Sequence, residues 1–311
     1  MTPRLLPSTA IGLAIAVATI QAGGQLQPTF RSGTGLVVVP VVVIDKAGRD
    51  VTTLDVRDFE VREDGQPVAI ETFVAPGASD AESGRFVVVV MDNVNVAPER
   101  FWRVRAIAGT LVDRLGPDDR MAVVALAGGR AADTSSRAVL KAAVARVGLS
   151  ASGDVHSAER NADDGLRALA DLAGQIAESP HRRKVLVIIG AAWIFNPNRA
   201  SAFADRDPDL SPLWREATER MGAANASLYV IDPGGFTGSP QDYATSFAAQ
   251  TGGLAWTNTN AYDKAIDRLW RDAGTYYLIG YRAPSRDGRP HDIDVRVTGS
   301  GLTVRARRTR G

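Results

Sequence analysis

Between Arg85 and Trp270 the chain alternates runs that are apolar at every position with stretches whose apolar residues recur at helical spacing, and nothing else narrows the fold as much. Phe86-Val87-Val88-Val89-Val90-Met91 leaves no position for a solvated face, so a strand here must be covered on both sides. Phe101, Val104, Ile107, Ala108, Leu111 and Leu115 then fall on one face of a helix that Gly116-Pro117 ends. Met121–Leu126, Val185–Ile189 and Leu228–Ile231 are further buried strands. Leu166, Leu169, Ala170, Ala173 and Ile176 mark one more helix, and Ala265, Ile266, Leu269 and Trp270 the last. This βα alternation predicts an α/β fold over residues 84–273, a doubly wound and mostly parallel sheet.

The chain to either side reads differently. In residues 30–76, Leu36–Ile44 is a Val-rich strand in which Pro40 points to an edge position or a bulge. Phe59-Glu60-Val61-Arg62 alternates, and Glu63-Asp64-Gly65-Gln66-Pro67 turns the chain into Val68-Ala69-Ile70. In residues 275–311, Tyr276–Tyr281 is a strand, Ile293, Val295 and Val297 alternate with polar residues, and Leu302–Arg305 follows. Neither set can close a core alone, so the two are expected to form one small antiparallel β domain into which the α/β domain is inserted. Residues 30–76 carry five basic and eight acidic side chains and residues 275–311 carry eight and three, so the halves have opposite sign.

Residues 1–22 have the layout of a secretory signal peptide: Arg4, the apolar stretch Ile11–Ile20, then small residues. That stretch is short for a span of about 20 residues, so the expectation is export to the periplasm, the outer cell surface or the medium, with no integral span after cleavage. The formal charge of +1 falls to zero without Arg4, which leaves no global field for nucleic acid or anionic lipid. With no cysteine, disulfides, thiolate nucleophiles and Cys-based metal sites are excluded.

Four stretches, in this order, carry a family resemblance. They are Val41–Lys46 with Asp58–Gly65; the first apolar strand ending in Asp92; Thr251-Gly252-Gly253-Leu254-Ala255; and Tyr276–Tyr281 through Val304-Arg305-Ala306-Arg307. Their order and spacing resemble von Willebrand factor type A domain proteins and, from Phe30 to Arg308, the exported von Willebrand A-related proteins of Acidobacteria. The resemblance implies a ligand face at the carboxyl ends of the strands, and binding rather than catalysis. It also implies a divalent ion on an Asp-x-Ser-x-Ser loop, a Thr and a second Asp, oxygens that suit Mg²⁺ or Mn²⁺. This chain departs from that pattern. The loop reads Asp92-Asn93-Val94-Asn95-Val96, with Val at both serine positions, and Gly190 stands where the second acid belongs. Ser150, Ser152 and Asp154 lie near the Thr position. The expectation is a degenerate site with no resident cofactor; a rebuilt Mg or Mn site would use Asp92, Asn95 and Asp154.

Other residues have two readings each. Asp92 could instead accept N–H bonds from its own loop as an Asx turn. Trp193 and Phe195 follow the fourth strand, either as anchors for a protein partner or as a plug over the absent metal loop. Arg305, Arg307, Arg308 and Arg310 read as a solvated strand face and frayed tail, with an acidic partner as the alternative. Asp232-Pro233-Gly234-Gly235 lacks the spacing of a phosphate loop. His156, His181 and His291 are scattered, and no nucleophile elbow or Walker loop occurs. The functional expectation is an exported protein-binding module, not an enzyme, recognising its partner through loops 92–98, 150–158, 191–212 and 233–240. A structural subunit of a cell-envelope assembly is the alternative, and a hydrolase, needing a pocket around His156 or His181, is a third class. Partner identity and oligomeric state are not written in the sequence.

Overall fold

Short strands connected by tight turns open the structure: β1 (Leu36–Ile44), β2 (Phe59–Glu63), β3 (Gln66–Val68) and β4 (Ile70–Val74). A two-residue Asp64-Gly65 turn joins β2 to β3, and both residues have positive φ, 48° and 77°, as a type I′ hairpin requires. The computed structural model describes residues 35–77, 84–150, 157–190, 211–235, 242–285 and 287–310. The expected signal segment and Ser152, Asp154, His156, Trp193 and Phe195 lie outside them. Among the described residues no helix is long and apolar enough to cross a membrane.

The βα alternation follows as β5 (Arg85–Met91), α1 (Phe101–Asp113), β6 (Arg120–Ala125), β7 (Gly129–Thr134), α2 (Arg137–Arg146), α3 (Ser157–Ala177), β8 (Arg183–Ile189), α4 (Ser211–Ala223), β9 (Ala226–Ile231), α5 (Asp242–Gln250), β10 (Ala255–Trp256) and α6 (Tyr262–Gly274). Its six strands lie in the order β10-β9-β8-β5-β6-β7, all parallel except β7. This is the doubly wound sheet expected. β5 shows why its sequence is apolar throughout. Phe86, Val88 and Val90 pack into the core on one face with Leu166, Leu169 and Phe247, while Val87, Val89 and Met91 pack on the other with Val104, Ile107 and Leu269. Each such side chain contributes about 1.5–3 kcal/mol on full burial.

The chain ends in β11 (Tyr277–Arg282), β12 (His291–Val297), β13 (Thr303–Ala306) and β14 (Thr309–Arg310). These strands interleave with the first four in two antiparallel sheets, β13-β1-β11-β4 and β14-β12-β2-β3. Val39, Val41, Val43, Phe59, Val61, Tyr277, Ile279 and Tyr281 form the core they share, with the Phe59 and Tyr277 rings 4.9 Å apart. Pro40 lies within a strand that has two neighbours, yet β13 pairs only from Val41 onward, so no ladder bond is asked of its missing N–H on that side. The opposite charges of the two chain ends meet in pairs: Glu63 with Arg310, and Glu71 with Arg282 at 3.1 Å.

The C-terminal arginines correct the expectation of a solvated face and tail. Only Arg308 is exposed. Arg305 reaches the fully buried carboxylate of Asp272 on α6 at 2.6 Å; Arg268 holds the other oxygen at 2.7 Å and also meets Asp50 at 3.0 Å. Arg307 is buried and donates to the Gly222 carbonyl; burial, with a smaller push from the Arg310 charge, brings its pKa down to about 10. Arg310 is buried against Glu63, which also accepts from Tyr281 Oη at 2.7 Å. Solvation lost to tertiary packing, which a strand-face pattern does not reveal, is the reason for the difference. Thr251-Gly252-Gly253 lies at the same joint. A Cβ on Gly252, at φ 78°, would come within 2.9 Å of the Ala306 carbonyl carbon, and one on Gly253 within 1.7 Å of the Leu228 oxygen. Thr251 Oγ1 accepts from Leu228 N–H and donates to Ala248 C=O, each at 2.9 Å.

Candidate functional site

Met91, Ile189 and Ile231 are register partners on β5, β8 and β9, so the residues that follow them, Asp92, Gly190 and Asp232, form a row across the carboxyl rim. This is where the sheet order reverses, β5 and β8 being the first strands of its two halves, and crevices form outside such points. Asp92 is fully buried in that crevice. Its Oδ1 accepts from the backbone N–H of Val94 at 3.1 Å and of Asn95 at 2.8 Å, and Asn95 Nδ2 lies 3.2 and 3.4 Å from the two carboxylate oxygens. The carboxylate is therefore held by its own loop, in the Asx-turn arrangement. Burial pushes its pKa up, and the loop's hydrogen bonds offset that only in part.

Gly190 explains why no second acid stands here. Its φ is 151°, and a Cβ would lie 2.4 Å from Asp92 Cβ and 2.7 Å from Oδ2. Asp92 in this inward position and any side chain at 190 exclude one another. Asn93, also buried, clamps the rim from beneath: Nδ2 donates to the Ala127 and Gly148 carbonyls at 2.8 and 3.0 Å, and Oδ1 accepts from Ala127 N–H at 2.9 Å. Its backbone carbonyl takes the Ser150 N–H at 2.8 Å. Asp232 repeats the Asp92 device on β9, accepting from Gly234 N–H at 2.7 Å, with its pKa likewise raised by burial. Asp92 and Asn95 are thus brought together, with hydrogen bonds rather than an ion between them. Among the described residues the oxygens at hand do not make a six-coordinate Mg²⁺ shell: Val94 and Val96 supply none from their side chains, and Asp92 Oδ1 is already taken up by the loop.

Two features of the structure were not readable as sites. Trp102, on the first turn of α1 beyond the Asp92–Ala97 loop, is 63% exposed. A helical pattern assigns it to the outer face but says nothing of what surrounds it there. The other is His291 on β12. Its Nδ1 lies 2.7 Å from Asp64 Oδ2 and its Nε2 2.8 Å from Asp287 Oδ1, so both nitrogens face carboxylates and its pKa is raised by those two bonds. Glu63, Asp64 and His291 bring ligand-type atoms within 4.8 Å of one another and could hold a cation if His291 were neutral and Arg310 displaced.

No family model matches the chain, and no curated protein matches it. Among solved structures it is similar to the manganese-loaded TRAP protein of Plasmodium vivax, with 9% identity, 80% of this chain and 96% of that one covered, and a TM-score of 0.40. It is also similar to the human COPII-coat protein Sec24c, with 11% identity, 84% and 48% covered, and a TM-score of 0.35. Likenesses this remote carry no argument about function.

Proposed function

We propose that this chain is an exported protein-binding module of the von Willebrand A kind, working in the periplasm, on the cell surface or in the medium, and that it takes its partner without a divalent ion. Trp102 is the observation that carries the reading. Its ring stands in solvent at the carboxyl rim, and the Arg103 guanidinium lies 5.5 Å from its centroid. Tryptophan and arginine are enriched among the few residues that carry most of the binding energy of protein interfaces. The buried, loop-bonded Asp92 and the filled space above Gly190 support a metal-independent mode.

Trp102→Ala is expected to leave the unfolding midpoint unchanged and to weaken partner capture from envelope extracts about tenfold or more, as truncation of a hot-spot residue does. Undiminished capture would remove Trp102 from the interface and the reading with it. Capture by the wild-type chain is expected to be equal in Mg²⁺, Mn²⁺ and EDTA. A metal requirement would instead restore the rebuilt site on Asp92, Asn95 and Asp154.

A further inference from the structure

We infer that the amino rim of the parallel sheet, at the end opposite Asp92, is a binding site for a small organic anion: a carboxylate or phosphate carried on an apolar body. A cleft of about 380 Å³ opens there between the first residues of β5 and β8, the loop before β6, the end of α6 and the start of β11. That volume lies within the range of small-molecule sites, about 300–1,000 Å³.

Arg183 gives the cleft its chemistry. It is 2% exposed and yet lines the cleft. Its Nη1 donates to Ser227 Oγ at 2.9 Å, and its Nη2 to Tyr229 Oη at 3.1 Å and to the Asp272 backbone carbonyl at 3.4 Å. Its Nε has no hydrogen-bond partner among the described residues. All three acceptors are neutral, and the Asp272 carboxylate is already paired with Arg268 and Arg305. A guanidinium stays protonated in proteins, so among the described residues this charge is buried without a counter-ion of its own.

The other charged groups lining the cleft do not cancel it. Arg85 and Asp119 form a fork-to-fork pair at 2.9 and 2.6 Å that neutralises both, with Arg85 also 4.5 Å over the Trp270 ring. Among the described residues Arg182 and the exposed Asp118 complete the set, three arginines against two aspartates. The remaining wall is apolar. Val74 and Leu278 line it, and the Tyr276 ring has Arg183 stacked 4.9 Å from its centroid. An anionic head on Arg183 with an apolar body against Tyr276 satisfies both halves. None of these groups belongs to the carboxyl rim, so the site stands whether or not Trp102 binds a partner.

The test is thermal unfolding and calorimetric titration of the full chain with phenyl phosphate, benzoate and the neutral benzyl alcohol at matched ionic strength. Phenyl phosphate or benzoate should raise the midpoint by mass action, the stronger of them identifying the head group, while benzyl alcohol leaves it in place. Gly274→Phe fills the mouth: Gly274 is exposed, and its Cβ would meet only Arg85 Nη1, at 3.7 Å. This variant should fold with the wild-type midpoint and lose the anion shift, as should Arg183→Gln if it folds. No shift with either anion at about 10 mM, far above any useful Kd, would overturn the site. A shift that persists in Gly274→Phe would place the anion elsewhere and overturn it equally.

Discussion

Asp272 and Asp92 are both completely buried carboxylates, and the protein treats them in opposite ways. Asp272 is met by two arginines, one of them Arg305 from the far end of the chain, so its charge ties α6 to β13. Asp92 meets no cation and is held by N–H groups two and three residues along its own loop. A buried ion pair joins elements distant in sequence and fails badly when halved. A loop-bonded carboxylate shapes only its own turn and keeps a desolvation penalty that its raised pKa records. The first is a structural joint; the second fixes a turn at the carboxyl rim of the sheet.

Halving the joint should give the largest effect. Arg305→Met leaves Asp272 with Arg268 alone, and a loss of about 3–5 kcal/mol is expected in denaturant unfolding. Adding Asp272→Leu should recover much of it. If the single variant costs no more than a surface change, Asp272 is not held by Arg305. Asp92→Ala strips the acceptor from two loop N–H groups and should cost about 1–3 kcal/mol. Asp92→Asn keeps an oxygen for them and removes the buried charge, so it should cost less. Because the folded pKa of Asp92 is raised, its charge lowers stability as pH climbs from about 3.8 through the folded value; the Asp92→Asn variant should flatten that part of the pH profile. Equal losses for the Ala and Asn variants would make the charge itself the requirement.

The smallest expected effect sharpens the contrast with a third arrangement, the pair of carboxylates that clamp His291. Its folded pKa is raised by Asp64 and Asp287, so its contribution is full below the unfolded value of about 6.5 and disappears as pH rises through the folded one. The midpoint difference between wild type and His291→Gln should therefore shrink from pH 6 to pH 9. A difference that holds constant over that range would mean the ring is neutral as folded.

Much of this protein was set by local pattern. A run such as Phe86–Met91 can be satisfied only by burial on two faces, and Asp64-Gly65 only by a left-handed turn, so the doubly wound sheet and the first hairpin follow from the residues themselves. Asp92 could be recognised as a rim residue because it ends an apolar strand. Whether it faced an ion or its own loop depended on where Gly190 lay, nearly a hundred positions away in sequence and a single register step across the sheet. The same holds for the C-terminal arginines. Their spacing describes a strand face, but only the packing of β13 and β14 on α6, α4 and β2 decided that Arg305, Arg307 and Arg310 would leave water. Apolar periodicity is a property of neighbours along the chain and can be read there. The partner of a charge is a property of neighbours in space, and the folded structure alone supplies it.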